Sequence, residues 1–132
     1  MYAKRCRKIE LVKAHTPEPN IIGDSSQAEI SFVGWGSTKN TLRDIVALYA
    51  SRGIKVNYLH FSYLWPLKTD TLEKFFKENK NVHLVEGNYD GQLGGLINKH
   101  TDLKFAGRLL KWNGRPFFIE DLEQYISENI NA

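Results

Sequence analysis

The sequence predicts an α/β domain built on a mostly parallel sheet. Three observations lead there. Apolar runs of strand length alternate with segments whose apolar residues recur at helical spacing. Glycines close the runs, at Gly34 and Gly36, at Gly53 and at Gly87. The chain has 132 residues, enough for one domain with a real core.

The elements follow in order. "PNIIG", Pro19 to Gly23, is an isolated apolar pair between polar stretches and fits a short edge strand. "AEISFVGWG" is a continuous apolar run ending in glycines. "TLRDIVALYASRG" puts Leu42, Ile45, Val46 and Tyr49 on one helix face, with Gly53 as the stop. "IKVNYLHF" is the next strand. "TDTLEKFFKEN" is a helix with a buried stripe of Leu72, Phe75 and Phe76, and Asp70 and Glu73 stand at capping-box spacing. "NVHLVEG" is a strand, and "QLGGLINKH" a helix with Leu93, Leu96 and Ile97 turned inward. "FAGRLLKW" is a further strand. "IEDLEQYISENI" is the last helix, with Ile119, Leu122, Tyr125, Ile126 and Ile130 on one face. Strand–helix alternation of this kind implies right-handed βαβ crossovers.

In a doubly wound sheet the first long strand lies in the middle, and the next two flank it on opposite sides. Ligands gather where the order reverses, at the carboxyl ends. Here those ends are Gly34, Trp35, Gly36, Ser37 and Thr38, and Glu86, Asn88, Tyr89, Gly91 and Gln92. "HFSYLWP", with Tyr63, Trp65 and Pro66, ends nearby. Glycine in a helix interior costs roughly 0.5–1 kcal/mol relative to alanine. Gly91, Gly94 and Gly95 therefore imply close backbone approach to protein or to ligand.

Is this edge an active site? Helix N-termini after "GWGST" and "NYDGQ" offer N–H groups to an anion, with Lys39 and Arg43 close in sequence. Neither stretch matches a P-loop or a dinucleotide-binding fingerprint. Ser37, His60 and Glu86 fall at strand ends and allow a Ser-His-Glu triad. No G-x-S-x-G elbow accompanies them, and the chain order is not that of the α/β-hydrolases. His60 reads instead as packing or hydrogen bonding among Tyr63 and Trp65. His15, His60, His83 and His100 have no ligand spacing, so no metal site is expected. Trp35, Tyr58, Tyr63, Trp65 and Tyr89 form an aromatic set at the same edge, of the sort that marks a protein interface.

Net charge is +3, and Lys4, Arg5, Arg7, Lys8 and Lys13 concentrate near the start. No nucleic-acid motif accompanies them, so they read as a solvated helix face or a docking helix. A single cysteine fits a reducing compartment. With no apolar signal core behind Met1 and no membrane-length apolar run, a cytoplasmic protein is expected.

Four motifs occur together in order: Gly34-Trp35-Gly36-Ser37-Thr38, Trp65-Pro66, Glu86-x-Asn88-Tyr89-x-Gly91-Gln92-Leu93 and Gly114-Arg115-Pro116-Phe117. From about Lys4 to about Ile126 the chain resembles the C-terminal part of the alpha subunit of 2-oxoacid:ferredoxin oxidoreductases, the 2-oxoglutarate branch in particular. The resemblance implies a transketolase C-terminal-like domain over residues 19–132, after a linker helix and loop over residues 1–18. That domain is a three-layer α/β/α fold whose five-stranded, mostly parallel sheet has one antiparallel edge strand, here "PNIIG".

The resemblance also implies function. Such enzymes use thiamine diphosphate, magnesium, an iron–sulfur cluster and coenzyme A to decarboxylate a 2-oxoacid such as pyruvate or 2-oxoglutarate and reduce ferredoxin. The hard chemistry is the cofactors'. One cysteine cannot hold a four-cysteine cluster, and no thiamine diphosphate signature is present. The isolated chain is thus expected to be inactive, with no catalytic residue, as an assembly domain. Its expected partners are the rest of the alpha subunit and the beta subunit, with ferredoxin indirect, and it is expected to self-associate. The strand edge would be the interface, with Tyr63, Trp65, Pro66 and Arg115 in it. The alternative is a phosphate- or coenzyme A-binding module at the strand carboxyl ends.

Overall fold

A computed structural model describes residues 17–63, 67–87, 92–110 and 117–130. Among these are strands β1 (Asn20–Ile22), β2 (Ile30–Trp35), β3 (Val56–Phe61), β4 (Val82–Glu86) and β5 (Gly107–Leu110). The helices are α1 (Lys39–Ser51), α2 (Asp70–Glu78), α3 (Gln92–His100) and α4 (Ile119–Asn129), and a 3₁₀ turn at Gly36–Thr38 leads into α1. The strands form one sheet in the order β1-β3-β2-β4-β5. β2 pairs in parallel with β3 and β4, and β4 in parallel with β5. β1 alone runs antiparallel, with Ile21 opposite Leu59 on the edge of β3. This is the expected architecture, including "PNIIG" as the antiparallel edge. The expected linker over residues 1–18 lies almost wholly outside the described residues.

Side chains alternate across the strands and fill two layers. Ile30, Phe32, Tyr58 and Val85 pack with Leu42 and Ile45 of α1 and Leu122 and Ile126 of α4. Val33, Leu59 and Leu84 pack on the other face with Leu72 and Phe75 of α2 and Leu93 and Ile97 of α3. Each such buried side chain contributes about 1.5–3 kcal/mol relative to exposure. β2, β3 and β4 are near-continuous apolar runs because helices cover both their faces.

The helix ends are set by specific bonds. α1 stops at Gly53, whose φ is +78°. Gly53 N donates to Ala50 O at 3.0 Å and Ile54 N to Tyr49 O at 2.9 Å, a Schellman pair that satisfies terminal carbonyls. The capping box expected from Asp70 and Glu73 does not form. Asp70 is already the first helical residue, and Glu18 takes the cap from a distance. Its Oε1 accepts from the Thr71 amide at 3.2 Å and from the Thr71 hydroxyl at 2.9 Å. Lys68 holds the same carboxylate at 3.3 Å. Reciprocal bonding of the box kind occurs at α4, where Phe118 N donates to Asp121 Oδ2 at 2.9 Å and Asp121 N to Phe118 O at 3.1 Å.

At the amino ends of the strands Asn79 acts as a hub. Its Oδ1 accepts from Ala28 N at 3.1 Å and Asn57 Nδ2 at 3.0 Å. Its Nδ2 donates to the carbonyls of Ser25 and Phe75, each at 2.9 Å. All four amide hydrogen-bonding positions are used, so one buried side chain ties the β1–β2 loop to the end of α2.

Candidate functional site at the carboxyl edge of the sheet

The strand order reverses between β2 and β4, so Trp35 to Thr38 and Gly87 face each other across one crevice, with Glu86 buried beneath it. Two polar groups organise it, one on each face of the sheet.

On the α3 face stands Glu86, fully buried at the end of β4. Trp35 Nε1 donates to its Oε1 at 2.8 Å, and the Leu93 amide donates to the same oxygen at 2.7 Å. The Gly94 amide donates to Oε2 at 3.2 Å. Leu93 and Gly94 lie in the first turn of α3, where amides lack intrahelical partners. A buried carboxylate is costly unless it is well bonded, and the helix N-terminus adds a favourable dipole. The anion position expected at this helix is thus filled from within the chain.

The α1 face carries a chain of hydroxyls. Thr38 Oγ1 donates to Trp35 O at 3.1 Å and lies 2.9 Å from Tyr58 Oη. Tyr58 Oη lies 2.8 Å from His60 Nδ1. Burial raises the Tyr58 hydroxyl above its ordinary value, so it stays protonated. Burial, and then the nearby Lys39 charge, lower His60, so its ring is neutral near pH 7. Gly34 makes room for this chain. A Cβ there would sit 2.8 Å from Val85 O, 3.1 Å from Tyr58 Oη and 3.2 Å from Thr38 Oγ1.

The three glycines expected to mark close backbone approach, Gly91, Gly94 and Gly95, separate. Gly94 is packed so closely that a Cβ would lie 2.5 Å from Leu84 Cδ2. Gly95 would meet nothing within 4 Å, so close approach does not account for it. Gly91 lies outside the described residues.

The expected site residues divide likewise. Gly34, Trp35, Thr38 and Glu86 are built into the two networks. Gly36 takes a φ of +72° at the turn, and Ser37 and Gln92 are exposed beside it. Tyr63 is 53% exposed. Asn88, Tyr89, Gly91, Trp65, Pro66 and Arg115 lie outside the described residues. Ser37, His60 and Glu86 form no triad, and the sequence already argued against one: His60 and Glu86 serve opposite faces of the sheet and Ser37 bonds to neither. Two other readings need correction. His60 bonds Tyr58, not Tyr63. Trp35 and Tyr58 are not one aromatic cluster, since Tyr58 is fully buried in the α1 layer and Trp35 packs on the other.

A second buried histidine escaped the sequence reading. His83 Nε2 lies 2.7 Å from Asn81 Oδ1, and Nδ1 lies 2.6 Å from Tyr125 Oη. Asn81 Nδ2 donates to the carbonyls of Glu29 and Asn129, which leaves its Oδ1 as the acceptor facing His83. His83 therefore donates through Nε2 and accepts the Tyr125 proton at Nδ1. Burial lowers His83 and pushes the Tyr125 hydroxyl up to about 12. Only the spacing of Asn81, just before β4, and His83, two residues on, hinted at this pair.

Among the described residues no group of three or more histidine, cysteine, aspartate or glutamate side chains is placed to hold a metal ion. No helix among them is long and apolar enough to cross a membrane.

Residues 28–122 match the model of the pyruvate:ferredoxin oxidoreductase core domain II. The chain belongs to the pyruvate:ferredoxin oxidoreductase core domain II family. The match runs from the start of β2 to Leu122 of α4, so it includes both networks. Among similar proteins is the alpha subunit of 2-oxoacid:ferredoxin oxidoreductase 1 from Aeropyrum pernix, 33% identical over 129 residues, covering 92% of this chain and 20% of the relative. The corresponding alpha subunit from Sulfurisphaera tokodaii is 31% identical over 127 residues, covering 94% and 20%. This core domain II chain thus spans about a fifth of the length of the curated relatives it matches.

Solved structures agree. A 2-oxoglutarate:ferredoxin oxidoreductase from Magnetococcus marinus, with 2-oxoglutarate, coenzyme A and succinyl-CoA bound, superposes with a TM-score of 0.91 at 27% identity, over 99% of this chain and 23% of that one. The alpha chain of a probable 2-oxoacid ferredoxin oxidoreductase from Thermoplasma acidophilum gives 0.60 at 28% identity, over 87% of this chain and 98% of that one. A split-gene transketolase gives 0.64 at 10% identity over 86% and 41%, a likeness of fold alone.

Proposed function

We propose that this core domain II is an assembly domain of the alpha subunit of a 2-oxoacid:ferredoxin oxidoreductase, inactive by itself. The observation that carries the reading is the Glu86 carboxylate on the first turn of α3. The best-formed anion position at the switch point holds a residue of the chain's own, so the crevice serves packing rather than phosphate binding. The alpha-subunit relatives and the core domain II match support the same assignment.

In the assembled enzyme this domain packs against the rest of the alpha subunit and the beta subunit, and ferredoxin interacts with the assembly rather than with this chain. The enzyme oxidatively decarboxylates a 2-oxoacid to its acyl-CoA in the cytoplasm. Thiamine diphosphate, magnesium, the iron–sulfur cluster and coenzyme A are held by the other parts. The residues described here do not fit a cluster or a diphosphate, because Glu86 already fills the amide cradle that a phosphate would need. Tyr63 and Phe118, 53% and 49% exposed, belong to the surfaces that those parts cover.

A thermal-shift series on the purified chain tests this. Coenzyme A, thiamine diphosphate with magnesium, NAD and inorganic phosphate are added separately at two salt concentrations. A ligand that binds only the folded state stabilises by about 2.7 kcal/mol at a hundredfold excess over its dissociation constant. No shift with any of them is the expected result. A shift with coenzyme A would overturn the assembly reading in favour of a binding module, located by Ser37→Ala and Gln92→Ala.

A further inference from the structure

Of the proton arrangements open to the chain from Trp35 through Thr38 and Tyr58 to His60, only one makes all three hydrogen bonds. Thr38 carries one hydroxyl proton, and the Trp35 carbonyl 3.1 Å away can only accept. In the first arrangement Thr38 donates to that carbonyl. It must then accept from Tyr58 at 2.9 Å, and Tyr58 in turn must accept from an Nδ1–H of His60 at 2.8 Å. Three hydrogen bonds form. In the reverse arrangement Thr38 donates to Tyr58 and Tyr58 donates to Nδ1. Two bonds form, and the carbonyl loses its hydroxyl donor. Buried polar groups favour the arrangement with more partners. Gly34 shapes the same outcome, since a Cβ at this position would crowd both hydroxyl oxygens.

We propose that Thr38, relayed by Tyr58, fixes His60 in the Nδ1–H tautomer, so that Nε2 is a hydrogen-bond acceptor at the carboxyl end of β3. Thr38 and Tyr58 are positioning residues in this device, and His60 is the recognition atom's carrier. The tautomer determines the chemistry that the edge accepts. His60 is only 5% exposed, so a group that reaches Nε2 on docking must bring an N–H or an O–H, and a carbonyl, carboxylate or phosphate oxygen meets a lone pair. Lys39, at the start of α1, supplies the neighbouring charge that disfavours a second proton on the ring. The tautomer is a property of the isolated chain, so its measurement stands or falls separately from the assembly reading.

Long-range ¹H–¹⁵N correlation spectra of the imidazole rings at pH 7.5 read this directly. In the unaltered chain His60 is expected to show a protonated Nδ1 and an unprotonated Nε2. Thr38→Val removes the acceptor of the Tyr58 proton. That proton then turns to Nδ1, and His60 is expected to switch to the Nε2–H form. Thr38→Ser keeps the hydroxyl and is expected to restore the original spectrum. A purely structural threonine would not move the tautomer. An Nε2–H signature in the unaltered chain, or identical tautomers in the unaltered and valine forms, would overturn the proposal. Should the valine form not fold, the spectrum of the unaltered chain still decides the polarity.

Discussion

The indole N–H of Trp35 donates to the carboxylate of Glu86 at 2.8 Å, across the line where the strand order reverses. It joins the last residue of β2 to the last residue of β4, and through Glu86 to the first turn of α3. Both Glu86 oxygens face N–H donors. Glu86→Gln places an amide NH₂ against at least one of them and leaves it unpaired. A loss of about 1–3 kcal/mol is expected, read as the midpoint of urea unfolding. Trp35→Phe keeps the ring and removes one donor, and a smaller loss is expected. Equal stability of the glutamine form and the parent would show that the carboxylate does not hold the helix.

Gly94 and Gly95 are neighbours with opposite expectations. Gly95→Ala adds a methyl to open space and gains helix propensity, so roughly 0.5–1 kcal/mol of stabilisation is expected. Gly94→Ala drives a Cβ to within 2.5 Å of Leu84 Cδ2, in a fully buried layer. Overpacking of this kind costs about 1–3 kcal/mol and exceeds the propensity gain. Thermal unfolding of the two variants should shift in opposite directions.

Asn79 permits a test by isosteric replacement. Asn79→Asp substitutes an acceptor for the Nδ2 that now donates to Ser25 and Phe75 carbonyls. A buried carboxylate then faces carbonyl oxygens. Asn79→Ala removes the side chain and leaves its partners unpaired, at about 1–3 kcal/mol for each buried group. Both variants are expected to be destabilised, the aspartate more than the alanine at pH 7. The difference should narrow as acid protonates the aspartate.

Stability should also depend on pH through His60 and His83. Burial lowers both below the ordinary histidine value of 6.5. Below 6.5 the unfolded chain therefore binds protons that the folded chain does not. Stability is full above that value and declines as pH falls toward the folded-state values. Glu18, lowered from 4.5, adds to the loss only at more acid pH. At the other extreme Tyr125 is raised from 10.0 to about 12, so the stability it contributes is lost as pH rises through that window. Urea midpoints between pH 5 and 8 should rise and then level, and His83→Gln should flatten the slope. A slope unchanged in that variant would remove His83 as a source.

The element order was legible from the sequence because apolar spacing reports which faces are buried. α3 begins at Gln92 and ends at His100, as the pattern of Leu93, Leu96 and Ile97 implied, and Gly53 ends α1 through a backbone conformation that glycine favours. That β2, β3 and β4 are apolar on both faces implied helices over both faces of a parallel sheet, and their order followed from the general rule for doubly wound sheets. Trp35, Thr38 and Glu86 stood out as candidates because unusual residues closed two strands. What they do there was decided by the tertiary fold. Glu86 and the α3 amides are close in sequence, but Trp35 reaches that carboxylate across 51 positions. Thr38 meets Tyr58 across 20 positions, and Glu18 caps α2 across 53. Periodicity carries no information about such pairs, because a hydrogen bond depends on where two backbones finally lie. For the same reason the sequence did not pair His60 with Tyr58, two residues before it on the same strand. Alternate residues of a strand point to opposite faces, and only the assembled sheet shows which partner each face provides.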